Sequence, residues 1–227
     1  MVEQGAFALL FAPDPSLSHA APLRRIDDAD ELRAAIAAVV AAFRGRGVRP
    51  RFELSLLLWP DVPPLLVEAG FVLEEQTPLL IVRAGALRPR AGSVRWVRPD
   101  EDLGYIGSVM RQGLEIRGGA PTPAEQAELR AHLEGGLRLA YAEIDGLPAA
   151  TGASFPIGPA TEISALSTIP TQRRRGAARA VASFLAAEHF AAGGEVAWAA
   201  TDDPRAHGLL QSLGFDDAGP RVSYGLP

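Results

Sequence analysis

The chain contains no cysteine. That absence excludes a disulfide framework, a thiolate zinc site and a cysteine nucleophile together. The four histidines, His19, His132, His189 and His207, are scattered without metal-ligand spacing, so no metal centre is expected. Positive charge is scarce as well. Against 27 acidic side chains stand 22 basic ones, for a formal net charge of −5. Bulk attraction to nucleic acid or to an anionic membrane is not expected from that balance. Long apolar runs are also missing. The opening "MVEQGAFALLFAPD" has no basic n-region, and its apolar stretch breaks at Pro13. Neither a signal peptide nor a membrane span is expected, and a cytoplasmic protein is.

What is present is ordinary globular material. The 227 residues are 48% hydrophobic and 22% charged, enough for one large domain or two small ones with a real core.

A faint internal repeat organises the chain. "ELRAAIAAVVAAFRGRG" has helical periodicity and ends in glycines, "RFELSLLL" reads as a buried strand, and "DVPPLLVEAGF" reads as a capped helix stopping at Gly70. "VLEEQTPLLIV" follows as a strand pair or a long edge. Shifted by 144 residues, the series returns as "GAARAVASFLAAEHFAAGG", "EVAWAAT" and "DDPRAHGLLQSLGF", with Gly214-Phe215 on Gly70-Phe71. The series reads as two copies of one helix–strand–helix–strand unit. The alternative is chance recurrence of such elements in an α/β chain.

Between the copies, "RAGALRPRAGSVRWVRPDEDL" suits a linker leading into a strand at "SVRWV". A helix over "YIGSVMRQGLEI" comes next. A second helix opens on Thr122 as cap, Pro123 at the first position and Glu125 three residues after the cap. Two strands follow, turning at Asp145-Gly146, and a third over "ATEISALSTIP".

The segment "TIPTQRRRGAARAVASFL" joins the end of that third strand to a helix. Such a junction presents unpaired helix N–H groups. Gly176 lets the backbone approach an anion closely, Ala178 is small for the same purpose, and Arg173, Arg174 and Arg175 add forked donors for phosphate oxygens. Three cations at the positive end of a helix dipole conflict unless an anion is bound there, and such conflicts gather at functional sites. The segment therefore reads as a pyrophosphate cradle, against the plainer alternative of a basic loop with no ligand. The first copy has "DADELRA" at the corresponding place, whose acids repel phosphate.

No Gly-Lys-Ser/Thr follows, so this is not a Walker loop. The segment instead resembles motif A of the GCN5-related N-acetyltransferases, Q/R-x-x-G-x-G/A, with Arg173, Gly176 and Ala178 at its defined positions and Pro170 ending the preceding strand. Asp203, Ala206 and Leu213-Gly214-Phe215 echo a later motif of that family. The resemblance covers roughly Ser93–Pro227. It implies an α/β (α+β) fold with a mixed, splayed central sheet flanked by helices, in two tandem copies: a degenerate half without a cofactor loop over 1–88, and a complete domain binding acetyl-CoA over 89–227.

By the same resemblance, pantetheine pairs with the strand at Leu166, Ser167 and Thr168. The pyrophosphate lies on Arg174, Arg175, Gly176, Ala177, Ala178 and Arg179, with Arg173 and Asp203 completing the cofactor set. Histone-type members carry a general-base Glu eleven residues before the motif-A Arg, which falls here on Glu162. The alternative for Glu162 is a surface ion pair. If strict alternation holds, Glu162, Ser164, Leu166 and Thr168 share one face. The family's acid tyrosine falls on Leu210, a departure that leaves the departing thiolate's proton to solvent, to His207 or, more remotely, to Tyr224. His207 is otherwise a satisfied or exposed histidine, and His189 is read as structural.

The function implied is acetyl transfer from acetyl-CoA to an amine of a small molecule or peptide, by direct attack in a ternary complex. The alternative is a non-catalytic acyl-CoA-binding or scaffold module. Nucleic-acid binding through the arginines is opposed by the net charge and by the lack of interleaved aromatics. The acceptor is not encoded in any readable motif. A monomer and a homodimer fit the sequence equally.

Overall fold

Leu32, Ile36, Val39 and Phe43 recur every three or four residues, and they are the residues that the first long helix buries. In the computed structural model, which describes residues 2–12 and 14–227, the elements follow in chain order. They are β1 (Val2–Gln4), β2 (Phe7–Leu10), β3 (His19–Pro22), α1 (Ala29–Arg44), β4 (Arg51–Ser55), α2 (Val62–Glu68), β5 (Val72–Arg83), β6 (Val94–Trp96), α3 (Leu103–Gly113), α4 (Pro123–Glu134), β7 (Arg138–Ile144), β8 (Leu147–Ile157), β9 (Ala160–Thr168), α5 (Ala177–Ala191), β10 (Val196–Ala200), α6 (Pro204–Ser212) and β11 (Asp216–Gly225).

The chain divides into two compact units, 1–79 with 218–227, and 80–217. The expected division at residue 88 falls within the second unit. Residues 80–88 belong with the second unit, and most of β11 belongs with the first. The physical reason lies in the cores. Val222 and Tyr224 are buried among Phe7, Phe43, Phe52, Leu66 and Phe71 in the first unit, while Leu80 and Val82 are buried among Val181, Leu185, Ala197 and Phe215 in the second.

In the first unit β1, β2 and β3 form an antiparallel meander, β3 runs parallel to β4, and β11 runs antiparallel to β4. None of the three N-terminal strands was expected, because each has only three or four residues and shows no usable period. Phe52 meets Phe7 and Phe71 edge to face at ring separations of 5.3 and 5.2 Å. The alternate residues of β4 and β11 carry charge instead: Arg51 pairs with Glu53 and Glu74, and Arg221 pairs with Glu53.

In the second unit the strand order is β5, β10, β9, β8, β7, β6, with β10 parallel to β9 and antiparallel pairing from β9 to β6. β5 is one continuous strand and not a pair. One face carries α5 on a core that includes Ile163, Val181, Leu185 and Leu210. The other carries α3 on Leu103, Ile106, Leu139, Tyr141 and Ala153. The fold is thus mixed α/β with helices flanking a mixed sheet.

Gly152 explains how closely α5 lies on that sheet. A Cβ there would sit 2.7 Å from Val181 Cγ1 and 2.8 Å from Leu166 Cδ2. Gly152→Ala is therefore expected to destabilise the protein by about 1–3 kcal/mol through overpacking. A lowered urea midpoint with an unchanged slope would register this, and an unchanged midpoint would refute it.

Local capping follows the sequence. Thr122 and Glu125 close a reciprocal capping box at the start of α4. The backbone N–H of Thr122, with Arg111 and the Thr122 hydroxyl, pulls the Glu125 carboxyl down to about 2. Gly70 and Gly214 turn at φ 88° and 92°, and in both places the following phenylalanine N–H donates five residues back, Phe71 to Leu66 and Phe215 to Leu210. β11 lies beside β4, and β5 lies beside β10.

Candidate functional site

β9 pairs with β10 only from Ala160 to Glu162, where Glu162 stands opposite Trp198. On its other side β9 stays paired with β8 as far as Thr168, opposite Ala150. From Ile163 onward the two parallel strands part, and one edge of β9 faces an open wedge. Such an edge presents N–H and C=O groups to an extended ligand.

The wedge leads to the start of α5. Pro170–Gln172 forms a single 3-10 turn, and Gly176 caps α5 at φ 85° with no side-chain cap. A Cβ on Gly176 would meet nothing within 4 Å, so the space in front of the helix is open. The N–H groups of Arg174 through Arg179 donate to no acceptor among the described residues. The buried Nε of Arg179 also lacks a partner. Orphan donors at a helix start, with no acidic residue in the first turn, suit an anion. The first helix differs in kind: Asp28 accepts from the Glu31 N–H, and Asp30 and Glu31 fill its first turn.

The three arginines do not act alike. Arg173 donates to Glu115 Oε1 at 2.7 Å, to the Thr168 carbonyl at 3.3 Å and to the Gly113 carbonyl at 3.4 Å, tying the end of α3 to the end of β9. Arg175 donates to both oxygens of Asp145, at 3.0 and 3.3 Å, and to Gln172 Oε1 at 2.6 Å. Those hydrogen bonds, with the Arg175 charge, hold the Asp145 carboxyl below the usual carboxylate range. Arg174 is exposed, sits at φ 66° and makes no side-chain bond among the described residues. Glu115 and Asp145 were not anticipated. They lie 58 and 30 residues from their partners, and no local pattern marks them.

The non-glycine residues with positive φ are Glu115, Asp145, Ala165 and Arg174. Each lies in the wedge strand, in the junction or in direct contact with a junction arginine. Such conformations are uncommon and collect where function requires them.

Ala165, at φ 50°, makes a bulge in β9. The register with β8 shifts there, from Ser164 opposite Ala153 to Ser167 opposite Thr151. The expectation that Glu162, Ser164, Leu166 and Thr168 share one face is therefore corrected. Glu162 and Ser164 lie on the α3 side with Ala153, whereas Leu166 and Thr168 lie on the α5 side with Ala150. Ser167 is buried on the α3 side, hydroxyl to hydroxyl with Thr151 at 2.8 Å.

The remaining candidates are spread out. Asp203 caps α6 by accepting from the Arg205 N–H. His207 Nε2 lies 3.2 Å from Asp217 Oδ1, and Leu210 is buried in the α5-side core. His189 is buried with its Nε2 3.1 Å from the Pro159 carbonyl, as expected of a structural residue. Tyr224 is in the core of the first unit.

Residues 90–215 match the family model described as the acetyltransferase (GNAT) family. Among solved structures, a GCN5-related N-acetyltransferase from Kribbella flavida superposes with a TM-score of 0.74 at 24% identity, covering 100% of this chain and 88% of that one. A GCN5-related N-acetyltransferase from Sphaerobacter thermophilus gives 0.63 at 11% identity, covering 96% and 75%. A functionally unknown conserved protein from Staphylococcus epidermidis gives 0.57 at 12%, covering 100% and 92%. No curated protein matches the chain.

Proposed function

Because the chain belongs to the acetyltransferase (GNAT) family, we propose that it transfers an acetyl group from acetyl-CoA to an amine by direct attack in a ternary complex. The observation that carries this reading is the parting of β9 from β10 at Glu162, with the wedge running to the unsatisfied N–H groups that open α5. Acetyl-CoA supplies an activated acyl carbon held as a thioester.

The residues present fit that ligand. The N–H groups of Arg174–Arg179, with the unpaired guanidinium of Arg174 and the orphan Nε of Arg179, receive the pyrophosphate. The open edge of β9 at Leu166, Ser167 and Thr168 offers backbone partners to the pantetheine amides. Arg173 and Arg175, held by Glu115 and Asp145, brace the junction from both sides. Glu162 stands at the apex of the wedge and takes the proton of the acceptor amine, directly or through water. Leu210 offers no proton, so the departing thiolate takes one from His207 or from solvent.

The first unit reads as a cofactor-free copy. It has the same turn at Gly70, but Asp28 occupies the helix start where the second copy leaves its donors open. Among the described residues no helix is long and apolar enough to cross a membrane.

Saturating acetyl-CoA tests the reading. At one hundred times the dissociation constant a ligand stabilises the native state by about 2.7 kcal/mol. For a chain of this size the melting temperature should rise by roughly 5–10 °C. No rise, in a folded sample stripped of co-purified ligand, sinks the proposal.

A further inference from the structure

The start of α5 and the segment that leaves α3 are joined through Arg173. Given the acetyl-CoA reading above, that joint has a consequence for the wedge. The Arg173 guanidinium reaches Glu115 Oε1 at 2.7 Å and the Gly113 carbonyl at 3.4 Å, while its Nε donates to the Thr168 carbonyl at 3.3 Å. Gly113 is pressed onto the same strand end. A Cβ there would stand 2.6 Å from Ser167 Cβ and 2.9 Å from the Thr168 nitrogen. The chain therefore leaves α3 at the open edge of β9.

Residues 114–121 then cross to α4. Their far end is pinned independently of the arginine junction. Pro121 lies against α3, where a Cβ on Gly107 would come 2.6 Å from Pro121 Cγ. Beside it Arg111 donates to Glu125 Oε1 at 2.8 Å, at the capping box of α4. The near end is held by Glu115, at φ 57°, through its pair with Arg173. The middle is loose. Residues 117–120 are exposed and include Gly118-Gly119, and their backbone N–H groups donate to no acceptor among the described residues. Segments with little burial and few bonds are the ones that open locally.

An anion on the N–H groups of Arg174–Arg179 would fix the turn that carries Arg173. It need not draw on the Arg173 charge, because Arg174 next to it is exposed and makes no side-chain bond among the described residues. Arg173 is 34% exposed and already makes three hydrogen bonds, one of them to a carboxylate. The bound anion thus steadies the near anchor instead of stripping it. We infer that Glu115 is a positioning residue: with Arg173 it transmits occupancy of the cofactor junction to residues 114–121, so that acetyl-CoA holds this segment down beside the open edge of β9. Loading the cofactor and setting the approach to the wedge from the α3 side are then one event. The coupling is reciprocal, so a segment held down retains acetyl-CoA more tightly.

Limited trypsin digestion of the whole chain, with and without saturating acetyl-CoA and read by mass spectrometry, tests this at the Arg117–Gly118 bond. Acetyl-CoA should slow cutting there at least ~5-fold, the lower end of ordinary coupling factors. Glu115→Gln keeps the shape and removes the charge, and the side chain is 68% exposed, so the variant folds. In it the protection after Arg117 should vanish. Protection after Arg174, which the ligand itself covers, should remain, as should the melting shift. Asp145→Asn loosens the brace on Arg175 and should leave the protection after Arg117 in place. The inference alone is overturned by unchanged or faster cutting after Arg117 with acetyl-CoA, or by no cut there in the ligand-free protein. Protection that survives Glu115→Gln, or that Asp145→Asn removes, overturns it equally. Absence of both the melting shift and the protection after Arg174 in the unmodified protein overturns the acetyl-CoA reading, and this inference with it.

Discussion

Gly176→Glu is expected to abolish the acetyl-CoA-dependent rise in melting temperature altogether. Three effects act together at that position. Gly176 sits at φ 85°, where an L side chain is strained. The space in front of it is open, so the new side chain would project toward the ligand position rather than into the protein. Its carboxylate would then occupy the N–H groups of the helix start, the donors proposed for the pyrophosphate. A control separates strain from ligand loss. Gly47→Glu, in the first unit, imposes a side chain at φ 66° with nothing within 4 Å. It should cost stability without touching the acetyl-CoA shift. An undiminished shift in folded Gly176→Glu would place the cofactor elsewhere.

Glu162→Gln should reduce turnover by at least tenfold near neutral pH, within the roughly 10²–10⁴ that a general base contributes. The substitution keeps the shape and removes the basicity. The deficit should shrink at high pH, where the amine is already neutral. The acetyl-CoA shift should stay at its wild-type size, because the cofactor edge of β9 lies beyond the bulge at Ala165. Were Glu162 only an ion-pair partner, its loss would cost roughly 0–1 kcal/mol of stability and little rate. Wild-type turnover across the pH range would assign the proton to water or another group.

Much of the second unit was readable because its signals are local. The Thr122–Glu125 box, the glycine stops and the junction at Gly176 each depend on residues within a turn of one another. What was missed is non-local. The carboxylates that hold Arg173 and Arg175 come from another helix end and another hairpin, and only the folded chain brings them there. The bulge at Ala165 breaks an alternation that the letters "EISALST" preserve, since nothing about an alanine announces a positive φ. The aromatic neighbours of Glu162, Phe155 and Trp198, required the register of three strands, which periodicity within one strand does not contain. Composition locates linkers, but it does not say which sheet a closing strand joins.

The placement of β11 has a consequence for the order of synthesis. Val222 and Tyr224 fill the core of the first unit, and β11 pairs with β4 over Arg221–Gly225. A ribosome delivers those residues some 150 positions after it has delivered α2. Through that interval the nascent first unit lacks a strand, and β4 exposes an edge with Phe52 beside it. The first unit is therefore completed after most of the second has emerged. A premature stop before residue 218 would injure the N-terminal unit while leaving every residue of the junction between β9 and α5 in the chain.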